Sequence, residues 1–334
     1  MSMLRSTPSI APESIASMII DNRNVVHVAV AVILGDDGRV LLAKRPEDKH
    51  MGGLWEFPGG KVESGEDIRV ALSRELREEL DIGVATFSPL IKIRHDYPDK
   101  SVLLDTWVVS GIQGEPKGNE GQLIQWVEKE CLNDYEFPEA NKVILRALQL
   151  PDHYMITGHF AEKEALFNSV LAALDNGIRL IQFRAHWLEA GDYLRLAREL
   201  SSCAQAAGGT LIIKGDFSLL SESWCHGLHL TSRQLGLPVK PEKRHSGQLL
   251  VASCHDKAQI KAAEAMAVDF ITLSPVKATA SHPEASPLGL ERAKMLTGIA
   301  KVPVFWLGGM NPEDAHLARQ LGARGIAAIQ AFWG

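Results

Sequence analysis

The feature that most constrains this chain is a stretch of charged residues at fixed spacing, GKVESGEDIRVALSRELREELDI, at positions 60–82. It fits the pattern G-x5-E-x7-R-E-U-x-E-E-x-G-U, in which U is apolar, at eight of nine fixed positions. The remaining position, where the pattern has glycine, is Asp81. So many matches argue against an ordinary glutamate-rich, solvated helix. The matching residues are Gly60, Glu66, Arg74, Glu75, Leu76, Glu78, Glu79 and Ile82.

The spacing within this motif predicts a helix that carries a metal site. Apolar residues in 67–80 recur at helical intervals, so one face of the helix packs inward. Glu75, Glu78 and Glu79 stand at i, i+3 and i+4, which places three carboxylates on one face. Because these charges repel, the cluster predicts a hard divalent cation with oxygen ligands, Mg2+ or Mn2+. The preceding FPGG, 57–60, predicts a loop that brings backbone atoms close to metal and phosphate.

The composition predicts a soluble protein of two domains. The chain has 334 residues, 46% of them hydrophobic, which suffices for two ordinary cores. It shows neither an apolar run of about 18 residues nor a signal-peptide pattern, so we expect a cytoplasmic protein without membrane association. The net charge is −6, and no dense Lys/Arg tract occurs. A small phosphate ester is therefore a better candidate partner than duplex DNA.

Two halves with different strand patterns follow residues 1–23, which we expect to form a flexible tail. In residues 24–150, strand patterns, the first at 25–34, surround the long helix, and a second helix at 139–148 closes the segment before the boundary at Pro151. Residues 151–334 alternate eight short apolar runs with helix-length segments, which predicts an α/β barrel of the TIM (β/α)8 type. Only residues 330–334 follow the eighth run, so its last outer helix should be short or missing.

The first half resembles the MutT branch of the Nudix hydrolases over roughly residues 24–150. The resemblance extends beyond the motif at 60–82. Three further segments are similar to this branch: WEFPGGK (55–61), GEPKGNEGQ (114–122) and FPEAN (137–141). The resemblance implies an α/β/α sandwich with a mixed sheet. It also implies Mg2+-dependent hydrolysis of a nucleoside triphosphate to the monophosphate and pyrophosphate, with 8-oxo-dGTP as the preferred substrate.

The same resemblance implies roles for the residues of the motif. The glutamates organise the metal, Glu120 supplies a further ligand or a base, and Arg74 orients the carboxylates. By spacing alone, Arg74 can pair with Glu78 at i+4. From the residues alone, Glu120 is equally well an exposed acid in a loop. The implied catalytic residues are Glu75, Glu78, Glu120 and Arg74. The implied metal ligands are Gly59, Glu75, Glu78, Glu79 and Glu120.

Residues outside the motif are implied to bind the nucleotide. Positions matching Arg45 and Phe57 line the pocket, and the amide of Asn141 reads the purine edge. Oxidation at C8 converts purine N7 from an acceptor into a donor, which gives a pocket the means to separate 8-oxoguanine from guanine. The alternatives from the residues alone are a helix N-cap for Asn141 and a surface arginine for Arg45. Asp81, which replaces the usual glycine at the helix end, should adopt the left-handed conformation at small cost.

The second half resembles thiamine-phosphate synthase and its relative TenI over residues 154–333. The synthase's two Mg2+-binding aspartates correspond here to Gly215 and Gln234, and the catalytic histidine of TenI corresponds to Pro275. A barrel without these groups is expected to be a degenerate, accessory domain. The implied ligand site at the barrel mouth consists of Gln182, Arg184, Thr279, Ser281, Gly308 and Gly309. From the residues alone, Gln182 and Arg184 share one face at the end of a strand, which fits anion binding and a structural ion pair equally well.

Two hypotheses of function follow from the two resemblances. The first is a diphosphatase that removes oxidised purine nucleotides from the nucleotide pool and carries an accessory barrel. The second is a Nudix hydrolase that acts on thiamine-related diphosphates, with a barrel that binds thiamine precursors or products. Asn141 and the segment at 114–122 favour the first hypothesis, and the fusion of the two domains favours the second.

Overall fold

The computed structural model describes residues 25–47, 51–98, 100–237, 244–245, 247–279 and 284–333. The expected tail at 1–23 and the candidate residue Ser281 lie outside these ranges. Within them the chain forms two β-sheets, one in each half. No helix of the described segments is long and apolar enough to cross a membrane.

The N-terminal sheet is mixed, as the sequence predicts. Its strand order is β3-β2-β1-β6-β5, with β4 also paired to β1 and β7 to β2. The pairing of β1 with β6 is parallel, and the other pairings are antiparallel. The predicted loop at 57–60 is wrong in part, because Gly59 and Gly60 pair with β1 as strand β4. The strands are β1 (Val25–Leu34), β2 (Val40–Lys44), β3 (Trp55–Glu56), β4 (Gly59–Lys61), β5 (Gly83–Asp96), β6 (Ser101–Gln113) and β7 (Ile124–Val127).

Two helices cover opposite faces of this sheet and complete the α/β/α sandwich. Helix α1 (Ile68–Leu80) buries its apolar stripe, which includes Leu72 and Leu76, against one face. Helix α2 (Glu139–Gln149) buries a stripe centred on Ile144 against the other face. The sheet separates the two apolar clusters. Successive side chains of a strand point to opposite faces of a sheet, so the central strand β1 contributes alternate residues to both clusters.

The C-terminal sheet is an eight-stranded parallel barrel. Its strand order is β10-β9-β8-β15-β14-β13-β12-β11, and a parallel bridge between Ile213 and Leu228 joins β10 to β11. The side chains that fill the interior include Tyr154, Phe270 and Phe305. The strands are β8 (His153–Ile156), β9 (Leu180–Gln182), β10 (Thr210–Ile212), β11 (Gly227–Leu230), β12 (Leu249–Cys254), β13 (Phe270–Leu273), β14 (Val304–Leu307) and β15 (Gly325–Ala328).

The outer layer of the barrel is uneven. Short 3-10 helices, Phe217–Ser221 and Gln234–Gly236, follow β10 and β11 in place of full helices. After β15 the described chain forms a turn, in agreement with the prediction that the last helix is short or missing, and Phe332 and Trp333 pack against the barrel core there. The outer α-helices are α3 (Lys163–Asp175), α4 (Ala190–Ala206), α5 (Lys257–Ala265), α6 (Gly289–Ile299) and α7 (Asp314–Gln320).

Polar contacts join the two halves at the end of α2. The guanidinium of Arg324, at the entry to β15, is buried and donates to the carbonyl oxygens of Ala147 and Leu150. Arg146 of α2 forms an ion pair with Asp269, a buried residue at the entry to β13. These contacts connect the last turn of α2 to the floor of the barrel, where the strands begin.

Candidate active site

Two glycines of β4 bring the backbone directly against the carboxylates of α1. The N–H of Gly59 donates to Glu79 at 3.1 Å. A Cβ atom at Gly60 would lie 2.2 Å from the carboxyl group of Glu75, so any larger residue would displace that group. Gly59 has φ +144°, and a Cβ atom there would lie 2.1 Å from the carbonyl oxygen of Ala29. Glycine is therefore required at position 59, where a Cβ atom would meet backbone, whereas at position 60 a larger residue would move the Glu75 carboxyl group out of its place.

Arg74 holds the acidic residues of the motif in place. Its Nε and Nη2 atoms each donate to Glu66 at 3.0 Å, and its Nη1 donates to Glu75 at 2.6 Å. Its Nη2 also donates to the carbonyl oxygen of Lys61 at 2.9 Å, which ties α1 to β4. The i, i+4 partner Glu78 is more distant, at 3.6 Å, and its side chain is 60% exposed. The sequence indicated the pair with Glu78, whereas the structure shows that Glu66 and Glu75 are the main partners.

Glu79 is the most perturbed carboxylate of the site. Burial, together with the negative charges of Glu56, Glu75 and Glu120, raises the pKa of Glu79 to about 8, although the Gly59 N–H opposes this. The surrounding charges are the kind of environment that a divalent cation relieves. Within the described ranges, however, no three His, Cys, Asp or Glu side chains converge closely enough to hold a metal ion. The carboxylates provide the oxygen ligands that a hard divalent cation prefers. Their side chains would have to move closer together to coordinate one.

The 114–122 segment closes the C-terminal end of α1, a role that the sequence did not reveal. The backbone N–H of Asn119 and the side-chain amide of Gln122 both donate to the carbonyl oxygen of Glu79, each at 3.0 Å. The side-chain amide of Asn119 donates to the carbonyl oxygen of Glu78 at 3.2 Å. These bonds satisfy carbonyls that lack helical partners, and they hold Glu120 beside the glutamates of α1.

The residues implied in nucleotide binding lie in α2 and directly after strands β2 and β3. Phe57 is buried and stacks on Phe137, with 5.6 Å between ring centroids. Arg45 forms an ion pair with Glu56, an acid that the sequence did not single out. Asn141 lies in the first turn of α2, whose N-cap position is occupied by Pro138. The N-cap alternative for Asn141 is therefore wrong, and its amide has no hydrogen-bond partner among the described residues.

The barrel mouth contains a cavity of about 1160 Å3 at the carboxyl ends of the strands. Five of the six residues predicted there do line it, and the sixth, Ser281, lies outside the described residues. The cavity also contains Lys214 and His229, which the sequence did not assign to a ligand site. The five lining residues are Gln182, Arg184, Thr279, Gly308 and Gly309.

The two positions that correspond to the synthase aspartates lie in contact with each other. The side-chain amide of Gln234 donates to the carbonyl oxygen of Gly215 at 3.1 Å. The Oε1 atom of Gln234 accepts from the backbone N–H and the hydroxyl of Thr231, at 2.9 and 3.0 Å. Both ends of the Gln234 amide are thus engaged within the protein. These residues do not fit Mg2+, because neither position provides a carboxylate.

Comparison with known proteins matches each half to a separate family. Residues 29–147 match the Nudix domain family, and residues 153–332 match the thiamine monophosphate synthase family. The chain belongs to both families. The two matches meet within 148–152, at the end of α2, and the predicted resemblances of both halves are confirmed.

Relatives of each half are similar over nearly their whole lengths. An 8-oxo-dGTP diphosphatase of Escherichia coli K12 is 37% identical over 124 residues, which cover 37% of this chain and 96% of that protein. A CTP pyrophosphohydrolase of the same organism is 37% identical over 118 residues, 35% of this chain and 87% of the relative. A putative thiamine-phosphate synthase of Aquifex aeolicus is 32% identical over 186 residues, 55% of this chain and 99% of the relative.

Proposed function

We propose that the N-terminal half hydrolyses nucleoside triphosphates to the monophosphate and pyrophosphate with the help of Mg2+, and that 8-oxo-dGTP is its preferred substrate. The observation that carries the proposal is the approach of β4 to α1, which places Glu75 and Glu79 against Gly60 and Gly59. The similarity to 8-oxo-dGTP diphosphatases supports the choice of substrate. In the reaction, a water oxygen forms a bond to an internal phosphorus while the phosphoanhydride bond between the α and β phosphates breaks, which yields the monophosphate and pyrophosphate.

The residues proposed to hold the cation are Glu75, Glu78, Glu79, Glu120 and the backbone of Gly59. A bound Mg2+ would lower the pKa of water and offset the charge that develops on the phosphates. Without a cation, burial and the neighbouring negative charges raise the pKa of Glu79 to about 8, so binding of a cation at neutral pH would displace a proton from this carboxyl group. Arg74 keeps Glu75 oriented through the 2.6 Å hydrogen bond. Glu120, on the segment that is hydrogen-bonded to the end of α1, is the residue proposed to accept a proton from the attacking water.

Base selection is proposed to depend on Asn141 and the neighbouring aromatic residues. The amide of Asn141 offers one donor group and one acceptor to a purine edge, and no described residue occupies either. Phe57 and Phe137 stack on each other in the apolar cluster to which α2 contributes. The resulting site would combine stacking with hydrogen bonds that an unmatched base cannot complete.

A second candidate function rests on the match of residues 153–332 to the thiamine monophosphate synthase family. In this case the Nudix half would hydrolyse a thiamine-related diphosphate, and the barrel would bind a precursor or product. The features of the Nudix half favour a nucleotide, since Asn141 is placed at the start of α2 with its amide unoccupied.

The experiment that separates the two functions is a side-by-side assay of the full chain. We would measure kcat/KM for 8-oxo-dGTP, dGTP, CTP and thiamine diphosphate, in Mg2+ and in EDTA. The proposal predicts that 8-oxo-dGTP exceeds the others by tenfold or more, with pyrophosphate as product and no turnover in EDTA. Faster hydrolysis of thiamine diphosphate would establish the second function instead.

A further inference from the structure

We propose that the barrel mouth binds the diphosphate group of a small organic molecule directly, through Lys214, Arg184 and Gln182, without a divalent cation. The three residues lie at the carboxyl ends of adjacent strands, since Gln182 ends β9, Arg184 follows it, and Lys214 follows β10. Ligands of parallel barrels bind at this end of the strands. The new element is Lys214, whose ammonium takes the place of the metal.

The charge of the cavity favours an anion. Its described lining includes the basic residues Arg184, Lys214 and Arg292, whereas Glu284 is the sole acidic residue among them. This excess of positive charge occurs in a chain whose net charge is −6. A cavity of opposite sign to the rest of the protein attracts ligands with several negative charges.

Lys214 is held at the mouth by its backbone and has no acidic partner. Its backbone N–H donates to the hydroxyl of Tyr193 at 2.8 Å, and that hydroxyl donates to the carbonyl oxygen of Phe183 at 3.0 Å. No described carboxylate pairs with the ammonium, and burial together with the charge of Arg184 lowers the pKa of Lys214. Two neighbouring cations in a half-buried site are stabilised when an anion binds between them.

Gln182 provides an independent indication of a ligand. Its side chain is only 2% exposed, and its Nε2 atom has no hydrogen-bond partner among the described residues. Buried amide donors are almost always paired, and Gln182 lines the cavity. An acceptor oxygen of a bound ligand would satisfy it.

The residues at the positions of the synthase aspartates do not provide a site for a metal. Gly215 has no side chain, and the amide of Gln234 is bonded to the carbonyl oxygen of Gly215 and to Thr231. No carboxylate stands there to hold Mg2+ between protein and diphosphate. An ammonium on the preceding residue provides positive charge at the same strand end without a metal.

The size of the cavity indicates that the diphosphate belongs to a larger molecule. At about 1160 Å3 the cavity lies at the upper end of small-molecule pockets, which typically measure about 300–1000 Å3. A diphosphate group fills a small part of that volume. Apolar residues such as Ile156, Leu288 and Met310 contribute to the remaining wall, where an organic group would bind.

The test is calorimetric titration of the full chain with inorganic pyrophosphate and with benzyl diphosphate, both in EDTA. We expect both probes to bind in EDTA, with benzyl diphosphate at least tenfold tighter. Lys214→Met and Arg184→Met should each weaken binding of either probe tenfold or more. Lys257→Met, an exposed change outside the cavity, should bind as the unaltered protein does.

The barrel variants distinguish binding of the probes in the barrel from binding in the Nudix half. Binding that appears only when Mg2+ is added, or that Lys214→Met and Arg184→Met leave unchanged, would overturn the proposal. Equal affinity for the two probes would overturn the assignment of an organic group. Circular dichroism would verify that each variant is folded, and if Lys214→Met fails this check, Arg184→Met decides the result.

Discussion

The two halves of this protein differ in what has happened to their acidic residues. The Nudix half has all the glutamates of its motif, positioned by Arg74 and by the close approach of Gly59 and Gly60. The barrel has Gly215 and Gln234 where a synthase has metal-binding aspartates, and a hydrogen bond joins the two positions. The barrel fold is therefore present without the carboxylates that bind Mg2+ in a synthase. The function of each half therefore depends on its own site and not on its fold.

Replacing a buried carboxylate of the Nudix site should cause the largest change. Glu79→Gln preserves the size of the side chain but removes its charge, so Mg2+-dependent turnover of 8-oxo-dGTP should fall about a hundredfold or more. Single-turnover kinetics with Mg2+ titration would measure this loss. Glu130→Gln, at an exposed position on the same half, serves as the control. Near-normal turnover of the Glu79 variant at limiting Mg2+ would contradict the assignment of the motif as the catalytic centre.

The junction between the halves should be sensitive to Arg324. Arg324→Met leaves the carbonyl oxygens of Ala147 and Leu150 buried without their donor. The free energy of unfolding should fall by about 2–4 kcal/mol, from two carbonyl groups at about 1–2 kcal/mol each. Urea denaturation would measure it, with Arg195→Met on an exposed face of α4 as the matched control. A stability equal to that of the control would show that the two halves do not depend on this contact.

Removal of the proposed base-reading amide should have an intermediate effect on catalysis. Asn141→Ala leaves a purine edge unpaired, at a cost of about 1–3 kcal/mol, so kcat/KM for 8-oxo-dGTP should fall about tenfold to a hundredfold. The loss for dGTP should be smaller. Asn133→Ala, at an exposed position of the 3-10 helix Lys129–Asp134 that precedes α2, provides the control. Equal losses for the two nucleotides, or none, would remove Asn141 from base selection.

The smallest expected signal is the activity of the barrel as a synthase. Because Gly215 and Gln234 provide no carboxylates, the full chain should form no thiamine phosphate from the pyrimidine diphosphate and the thiazole phosphate above the rate without enzyme. Product would be detected as thiochrome fluorescence, with an active thiamine-phosphate synthase as the positive control. Growth of a strain that lacks its own synthase, restored by this chain, would contradict the degenerate character of the barrel.

Much of the fold could be predicted from local patterns in the sequence. The long strand at Val25–Leu34 and the helices at Ile68–Leu80 and Glu139–Gln149 agree with their predicted positions to within a residue or two. All eight barrel strands coincide with predicted apolar runs. These elements depend on residue periodicity within a short window, which the sequence contains directly. The sequence predicted a loop at 57–60, whereas Gly59 and Gly60 belong to a short strand that pairs with β1. This pairing joins residues that are far apart in the sequence, so local glycine preferences do not reveal it.

The sequence by itself determined the chemistry of the motif, since a helix brings residues at i, i+3 and i+4 to one face wherever it forms. Only the tertiary structure decided which distant groups surround that face, including Glu56, and how strongly burial raises the pKa of Glu79. It also decided that Gln234 contacts Gly215 and that Lys214 faces the barrel cavity. Burial and long-range contacts depend on how separate elements pack. Desolvation changes the energy of a charged group by an amount that this packing sets and that the residue type alone does not specify.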